Sequence, residues 1–206
     1  MRSACLLATI LPLLCVAALA DAPYADVLIA DVPHVVQKPD FCGEACAEMY
    51  LRKLGHTITQ DQVFNASGLD PTLGRGCYAA ELDTALRRLG FQVGEVRHSI
   101  AAARADKHLE EQWGALHADL LQGVPSIVCM HYSDQPRTTE HFRLVLGYRA
   151  DSDEVVYHEP AEADGAYRRM PRTQFLRLWP LKYEAKRWLV IRFRLAADKI
   201  VAPPAT

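Results

Sequence analysis

One short stretch carries the residue types of nucleophilic chemistry. In VQKPDFCGEACAEMYLRKLG, residues 36–55, Gln37 stands five residues before Cys42, and Gly43 follows the cysteine directly. Ala45, Cys46, Met49, Tyr50 and Leu54 recur at helical spacing and the pattern stops at Gly55, which predicts a helix over 41–54 with Cys42 in its first turn. Backbone N–H groups at a helix start lack partners inside the helix and the dipole there is positive, so a thiolate is favoured and a lowered pKa is expected for Cys42. A thiolate that attacks a carbonyl carbon creates an oxyanion, which needs donors already in place. The Cys42 N–H is one such donor, and the Gln37 amide, on the loop before the helix, is the second. Gly43 is expected to let another chain or a substrate approach the backbone.

A thiol nucleophile needs a base, and the chain has eight histidines. His34, His56, His98, His108 and His117 fall in polar loops or on expected helix surfaces and read as exposed. Cys129 and His131 share one face of an expected strand, but no second ligand pair matches them, so neither a metal nor any other cofactor is expected. His141 is different. It opens HFRLVLGY, residues 141–148, and after the polar turn RADSDE comes VVYHEP, which closes on Glu159 and Pro160. Strands joined in this way pair antiparallel, which brings His141 near Glu159. Alternation sends His158 and Glu159 to opposite faces, so only one of them can face His141. The expected one is Glu159; with His158 inward, an acid would have to come from elsewhere, such as Asp153 or Asp164.

The elements that hold these residues follow from patterning. HLEEQWGALHADLLQG, 108–123, has Leu109, Trp113, Leu116, Leu120 and Leu121 at helical spacing and ends on Gly123, which predicts an amphipathic helix. The apolar run 124–130 follows as a buried strand, with Cys129 as a small core residue, and RWLVIRFRL, 187–195, reads as another strand. The fold class is α+β, a helical layer presenting the thiol packed on an antiparallel sheet presenting the histidine, with a cleft between them.

Length and composition bound the rest. With 206 residues, half of them apolar, the chain suits one domain. Its 23 Lys and Arg against 25 Asp and Glu leave no basic surface for nucleic acid and no acidic tail. MRSACLLATILPLLCVAALA, 1–20, reads as a secretory signal peptide cleaved after Ala20, too short for a membrane span. The expected mature domain is 21–206, secreted or periplasmic, without a membrane span and with a frayed VAPPAT tail. Cleavage leaves Cys42, Cys46, Cys77 and Cys129 in an oxidising compartment. With Cys42 free, either Cys46 pairs with Cys77 or all are reduced. The sequence gives no reading of oligomeric state.

Taken in order, Gln37, FCGEAC at 41–46, VPSIVCMHY, HFRLVLGY and a strand closing on an acid and proline resemble the C39-type branch of the papain-like cysteine peptidases. GCYAAELDTALRRLGF, 76–91, resembles the family's second helical segment, and YRRMPRTQFLRLW, 167–179, the segment after the acid. The resemblance implies a papain-like fold and a hydrolase acting on a peptide or protein substrate. In it Gln37 supplies the oxyanion-hole amide, Cys42 the nucleophile and His141 the general base, with a third group orienting His141. In the family that third group is usually an aspartate before proline; here it is Glu159, whose carboxylate reaches roughly 1.5 Å further. A non-catalytic peptide-binding domain of the same fold and a cysteine acyltransferase are the alternative readings. Members attached to export transporters cut leader peptides after paired glycines; no transporter segment is read in this sequence, so that specificity is not carried over.

Overall fold

In a computed structural model of the protein, which describes residues 24–195, the helical pattern after Phe41 becomes α1 (Cys42–Lys53). Its inner face of Cys46, Met49 and Tyr50 is buried, Arg52 and Lys53 complement the negative end of the dipole, and Gly55, at φ 87°, turns the chain away. Four further α-helices are α2 (Gln60–Ser67), α3 (Ala79–Arg88), α4 (Ala105–Leu121) and α5 (Arg172–Leu178). Seven strands, β1 (Val27–Leu28), β2 (Arg97–Ala101), β3 (Ser126–His131), β4 (Glu140–Arg149), β5 (Glu154–His158), β6 (Arg168–Pro171) and β7 (Arg187–Phe193), form one antiparallel sheet. Its order is β2-β7-β3-β4-β5-β6, with β1 added against β4. The expected signal segment 1–20 and the VAPPAT tail lie outside the described residues.

Register explains how the sheet presents its chemistry. Cys129 of β3 stands opposite Phe142 of β4, and His131 opposite Glu140. β4 returns into β5 as the expected hairpin, with Leu144 opposite His158 and a bulge between Val145 and Gly147. Every residue from Ser126 to Met130 is buried, so both sides of β3 are covered and the strand reads as an unbroken apolar run. α1 lies against β4 and β3. α4 packs across β1 to β4, where Trp113 meets the rings of Tyr24, Tyr148 and Phe175 at 5.8, 5.5 and 5.7 Å.

Some expectations are corrected here. All four cysteines in the described residues are free, so Cys46 and Cys77 do not pair. Cys46 is sealed inside α1's packing, whereas the Cys77 thiol sits by the Glu44 carboxyl and the Ser67 hydroxyl. None of the five histidines read as exposed is so: His117 is buried, with Nε2 against the Ala25 carbonyl at 2.8 Å, and His34, His56, His98 and His108 are partly buried. α2, β1, β2, β6 and α5 have no counterpart among the elements predicted from sequence; β6 and α5 fall in the 167–179 segment.

Candidate active site

The loop that delivers the thiol is built from a tight turn. Phe41 N–H donates to the Lys38 carbonyl at 3.0 Å across Pro39 and Asp40, and Asp40 has φ 63°, the type II pattern of proline second and positive φ third. Gly76 makes room for it, because a Cβ there would lie 2.0 Å from the Asp40 carbonyl oxygen. Gly43 serves packing instead of substrate approach. It is buried, and a Cβ on it would meet Phe142 Cδ2 at 3.1 Å and Leu82 Cδ2 at 3.2 Å, so its absence lets α1 settle onto β4.

Cys42 is partly buried at the first residue of α1 and lines a cleft of about 980 Å³ together with Gln37 and His141. Its pKa departs from the sequence expectation. Burial pushes the thiol up to about 11, and the negative charge of Glu44 adds to this, against the lowering effect of the N–H groups of Phe142, Gly43 and Cys42 itself. The helix start does favour the thiolate; desolvation outweighs it.

His141 is buried at the start of β4, and its Nε2 donates to Glu159 Oε1 at 2.5 Å. A carboxylate only accepts, so Nε2 carries the hydrogen and Nδ1 is left as the basic nitrogen. Tyr132 packs edge-on against the imidazole with ring centroids 5.0 Å apart. Glu159 Oε1 also accepts from Ala161 N–H at 3.1 Å, and Oε2 accepts from Arg143 Nε at 2.7 Å. Arg143 in turn donates through Nη2 to the Tyr132 carbonyl at 3.0 Å. Burial works against the ionised form of Glu159, but the hydrogen bond and charge of His141 and the charge of Arg143 prevail and hold its carboxyl below the usual range. Arg143 was missed in the sequence. Its position two residues after His141, on the same strand face, was the available signal.

His158 turns away from His141. Its Nδ1 accepts from Tyr167 N–H at 2.9 Å and its Nε2 donates to the Val32 carbonyl at 3.0 Å, which ties the segment before Cys42 to the loop after Glu159. Neither alternative acid is near: Asp153 holds Tyr148 and Arg172, and Asp164 pairs with Arg168. Gly165 lets the loop after Glu159 fold back, since a Cβ there would sit 1.9 Å from the Glu159 carbonyl oxygen. Burial, with the neighbouring His34, lowers the His158 pKa from the ordinary 6.5, because protonating Nδ1 inside the protein would break its bond to Tyr167. The unfolded chain takes up this proton first, so the stability His158 contributes is full above about pH 6.5 and falls as the pH drops below it. Urea midpoints measured from pH 7.5 to 5 are expected to fall more steeply in wild type than in His158→Gln, which cannot titrate; parallel curves would refute this.

Gln37 closes the site. Its N–H donates to the Pro160 carbonyl at 2.8 Å, next to Glu159, and its side chain lines the cleft with Oε1 buried and unpartnered among the described residues. Tyr78, Tyr132 and Tyr183 stand exposed around the rim. No group of three or more His, Cys, Asp or Glu among the described residues is arranged to hold a metal ion.

Solved structures similar to this chain include two from transporters. One is a double glycine motif protease from an AMS/PCAT transporter in complex with the leader peptide, at 18% identity over 84% of this chain and 99% of that one, with a TM-score of 0.49. The other is the peptidase domain of Streptococcus ComA, a bifunctional ABC transporter involved in a quorum sensing pathway, at 16% identity over 78% and 98%, with a TM-score of 0.47. Among curated proteins nothing matches the sequence. A family model does match, and it spans residues 29–186, from the segment before Gln37 to the strand region beyond Glu159. On that match over most of its length, the chain belongs to the Peptidase_C39 like family.

Proposed function

We propose that the protein is an exported cysteine peptidase in which Cys42 attacks the carbonyl carbon of a peptide bond, His141 transfers the protons, Glu159 orients His141 and Gln37 stabilises the oxyanion. What supports this reading is the way His141 is held: Nε2 is committed to Glu159, which leaves Nδ1 for a thiol in the same cleft. With its pKa near 11 the resting thiol is protonated, so attack is coupled to proton transfer and does not start from a preformed thiolate. As the Sγ–C bond forms, the thiol proton passes to Nδ1 and the carbonyl electron pair moves onto oxygen, facing the Cys42 N–H and the Gln37 amide. Collapse of that intermediate breaks the C–N bond, and the imidazolium returns the proton to the leaving amine. Water then attacks the thioester, gives its proton to Nδ1, and the thiol leaves with it.

A mixed set of synthetic peptides incubated with the mature protein, with products mapped by mass spectrometry, tests this directly. Pairs of fragments whose masses sum to that of the parent plus one water are expected, together with an acyl adduct on Cys42 after rapid acid quench. Added amine acceptors should leave hydrolysis dominant. Absence of both cleavage and adduct across the set would overturn the peptidase reading, and amide products in place of acids would turn it into acyl transfer.

A further inference from the structure

Resting on the reading of Gln37 as oxyanion donor, we infer that Gln60 is a positioning residue that fixes Gln37 in the orientation the oxyanion needs. Gln60 is buried at the first position of α2, far from the thiol in sequence. Its side-chain amide grips the backbone on both sides of Gln37. Nε2 donates to the Val36 carbonyl at 3.2 Å, and Oε1 accepts from Lys38 N–H at 2.8 Å. In an extended segment these two groups point the same way, while the N–H of the residue between them points the opposite way. That N–H, of Gln37, donates to Pro160 on the other side. The peptide units flanking Gln37 are therefore clamped from two directions, as a central strand would be by its neighbours, although residues 36–38 belong to no strand.

The clamp is tied to the nucleophile's own helix. Gln60 N–H donates to Glu48 Oε2 at 2.7 Å, and Glu48, buried on α1, pairs through Oε1 with Arg52 at 2.5 Å. α1 begins at Cys42, so one rigid path runs from the thiol through Glu48 and Gln60 to the loop that carries Gln37. A second contact reinforces it at the surface, where Lys38 Nζ meets the Asp61 carboxylate at 2.5 Å. An oxyanion donor acts only if it is already in place when charge develops, and a displacement near 1 Å costs on the order of a hundredfold. A lone glutamine on a loop would not meet that demand without such a clamp.

Two probes of Cys42 separate this role from a general one. A peptide aldehyde adds to the thiol, with the Sγ–C bond formed and the thiol proton moving to His141, and places a tetrahedral oxygen at the Gln37 amide. Iodoacetamide alkylates the same sulfur without needing an oxyanion donor. With the tightest binder from a panel of acetyl-dipeptidyl aldehydes bearing aliphatic, aromatic or glycine side chains, Gln37→Ala is expected to weaken binding about a hundredfold. Gln60→Met should weaken it about tenfold or more and leave the alkylation rate within about twofold of wild type, and in a Gln37→Ala background it should add nothing further. Gln60→Glu is the second variant should Gln60→Met not fold. Its protonated carboxyl can donate to Val36 and accept from Lys38, whereas its carboxylate can only accept, so its aldehyde binding should recover relative to wild type as the pH falls from 8 to 5. Equal losses from Gln60→Met with and without Gln37, or no loss while Gln37→Ala shows one, would overturn the positioning role alone. No loss from Gln37→Ala, or no binding by any aldehyde, would overturn the oxyanion reading and this inference with it.

Discussion

Cys42→Ala is expected to leave the protein folded and to abolish peptide turnover, with kcat/KM down by a factor on the order of 10⁵ to 10⁶. The argument has to single out this cysteine, because Cys77 and Cys129 line the same cleft. Both of those are buried. The Cys77 thiol is pushed up to about 12 by burial and by the charge of Glu44, and it lies against that carboxyl, which would repel a developing thiolate. Cys129 is raised well above the ordinary thiol value, by burial first and then by Glu140. Cys42 alone combines partial exposure, three backbone N–H groups acting on its sulfur and a place beside the His141–Phe142 backbone. Cys77→Ala and Cys129→Ala should accordingly keep turnover within about threefold, and each should lower stability by about 1 kcal/mol, as small core truncations do. Cys42→Ala removes one partly exposed sulfur and should shift the melting temperature little. Turnover within tenfold of wild type in Cys42→Ala, or its loss in Cys77→Ala with the fold intact, would move the nucleophile elsewhere.

The parts of this site that were legible in the sequence are those set by local rules. Helical periodicity from Ala45 to Leu54 ending on Gly55 located α1 to within a residue at each end, and so placed Cys42 at a helix start. The polar turn between HFRLVLGY and VVYHEP gave the β4–β5 hairpin, and with it the approach of His141 to the end of β5. What stayed hidden depends on burial or on contacts between distant segments. The thiol's pKa is decided by how much protein covers Cys42, which no spacing records. Gly43 contacts Phe142 and Leu82, and neither neighbour follows from the sequence around it. α2 was legible and overlooked: Thr59 and Gln62 form a capping box ahead of Val63 and Phe64, the S/T-x-x-E/Q signature of a helix start. Reading it would have placed Gln60 at an N-terminus, although not against Val36 and Lys38.

The Glu159 series decides whether the longer acid is an adaptation or a loss, and Arg143 makes the outcomes distinct. The carboxylate is shared, Oε1 on His141 and Oε2 on Arg143, with both partners on β4 two residues apart. Glu159→Asp withdraws it by roughly 1.5 Å, too far to keep both bonds, and should cost on the order of a hundredfold in kcat. Glu159→Ala removes the acid altogether and leaves Arg143 buried without its counter-charge, which destabilises by about 3 to 5 kcal/mol, so its activity must be compared at a temperature where it is folded. There kcat should be down by a factor on the order of 10⁴. Glu159→Gln carries the sharpest argument. Arg143 is charged and can only donate, so the new amide turns its oxygen to the guanidinium and its NH₂ to the imidazole, giving up the weaker bond that Glu159 Oε1 accepts from Ala161 N–H. His141 Nε2 then has to accept, the ring hydrogen moves to Nδ1, and the base proposed for Cys42 is gone although the shape of the site is kept. Glu159→Gln should therefore be more stable than Glu159→Ala and nearly as inactive, with Glu159→Asp the most active of the three. If Glu159→Gln turned over like wild type, the carboxylate would have no part in setting the tautomer of His141, and its bond to Arg143 would be all that keeps it buried there.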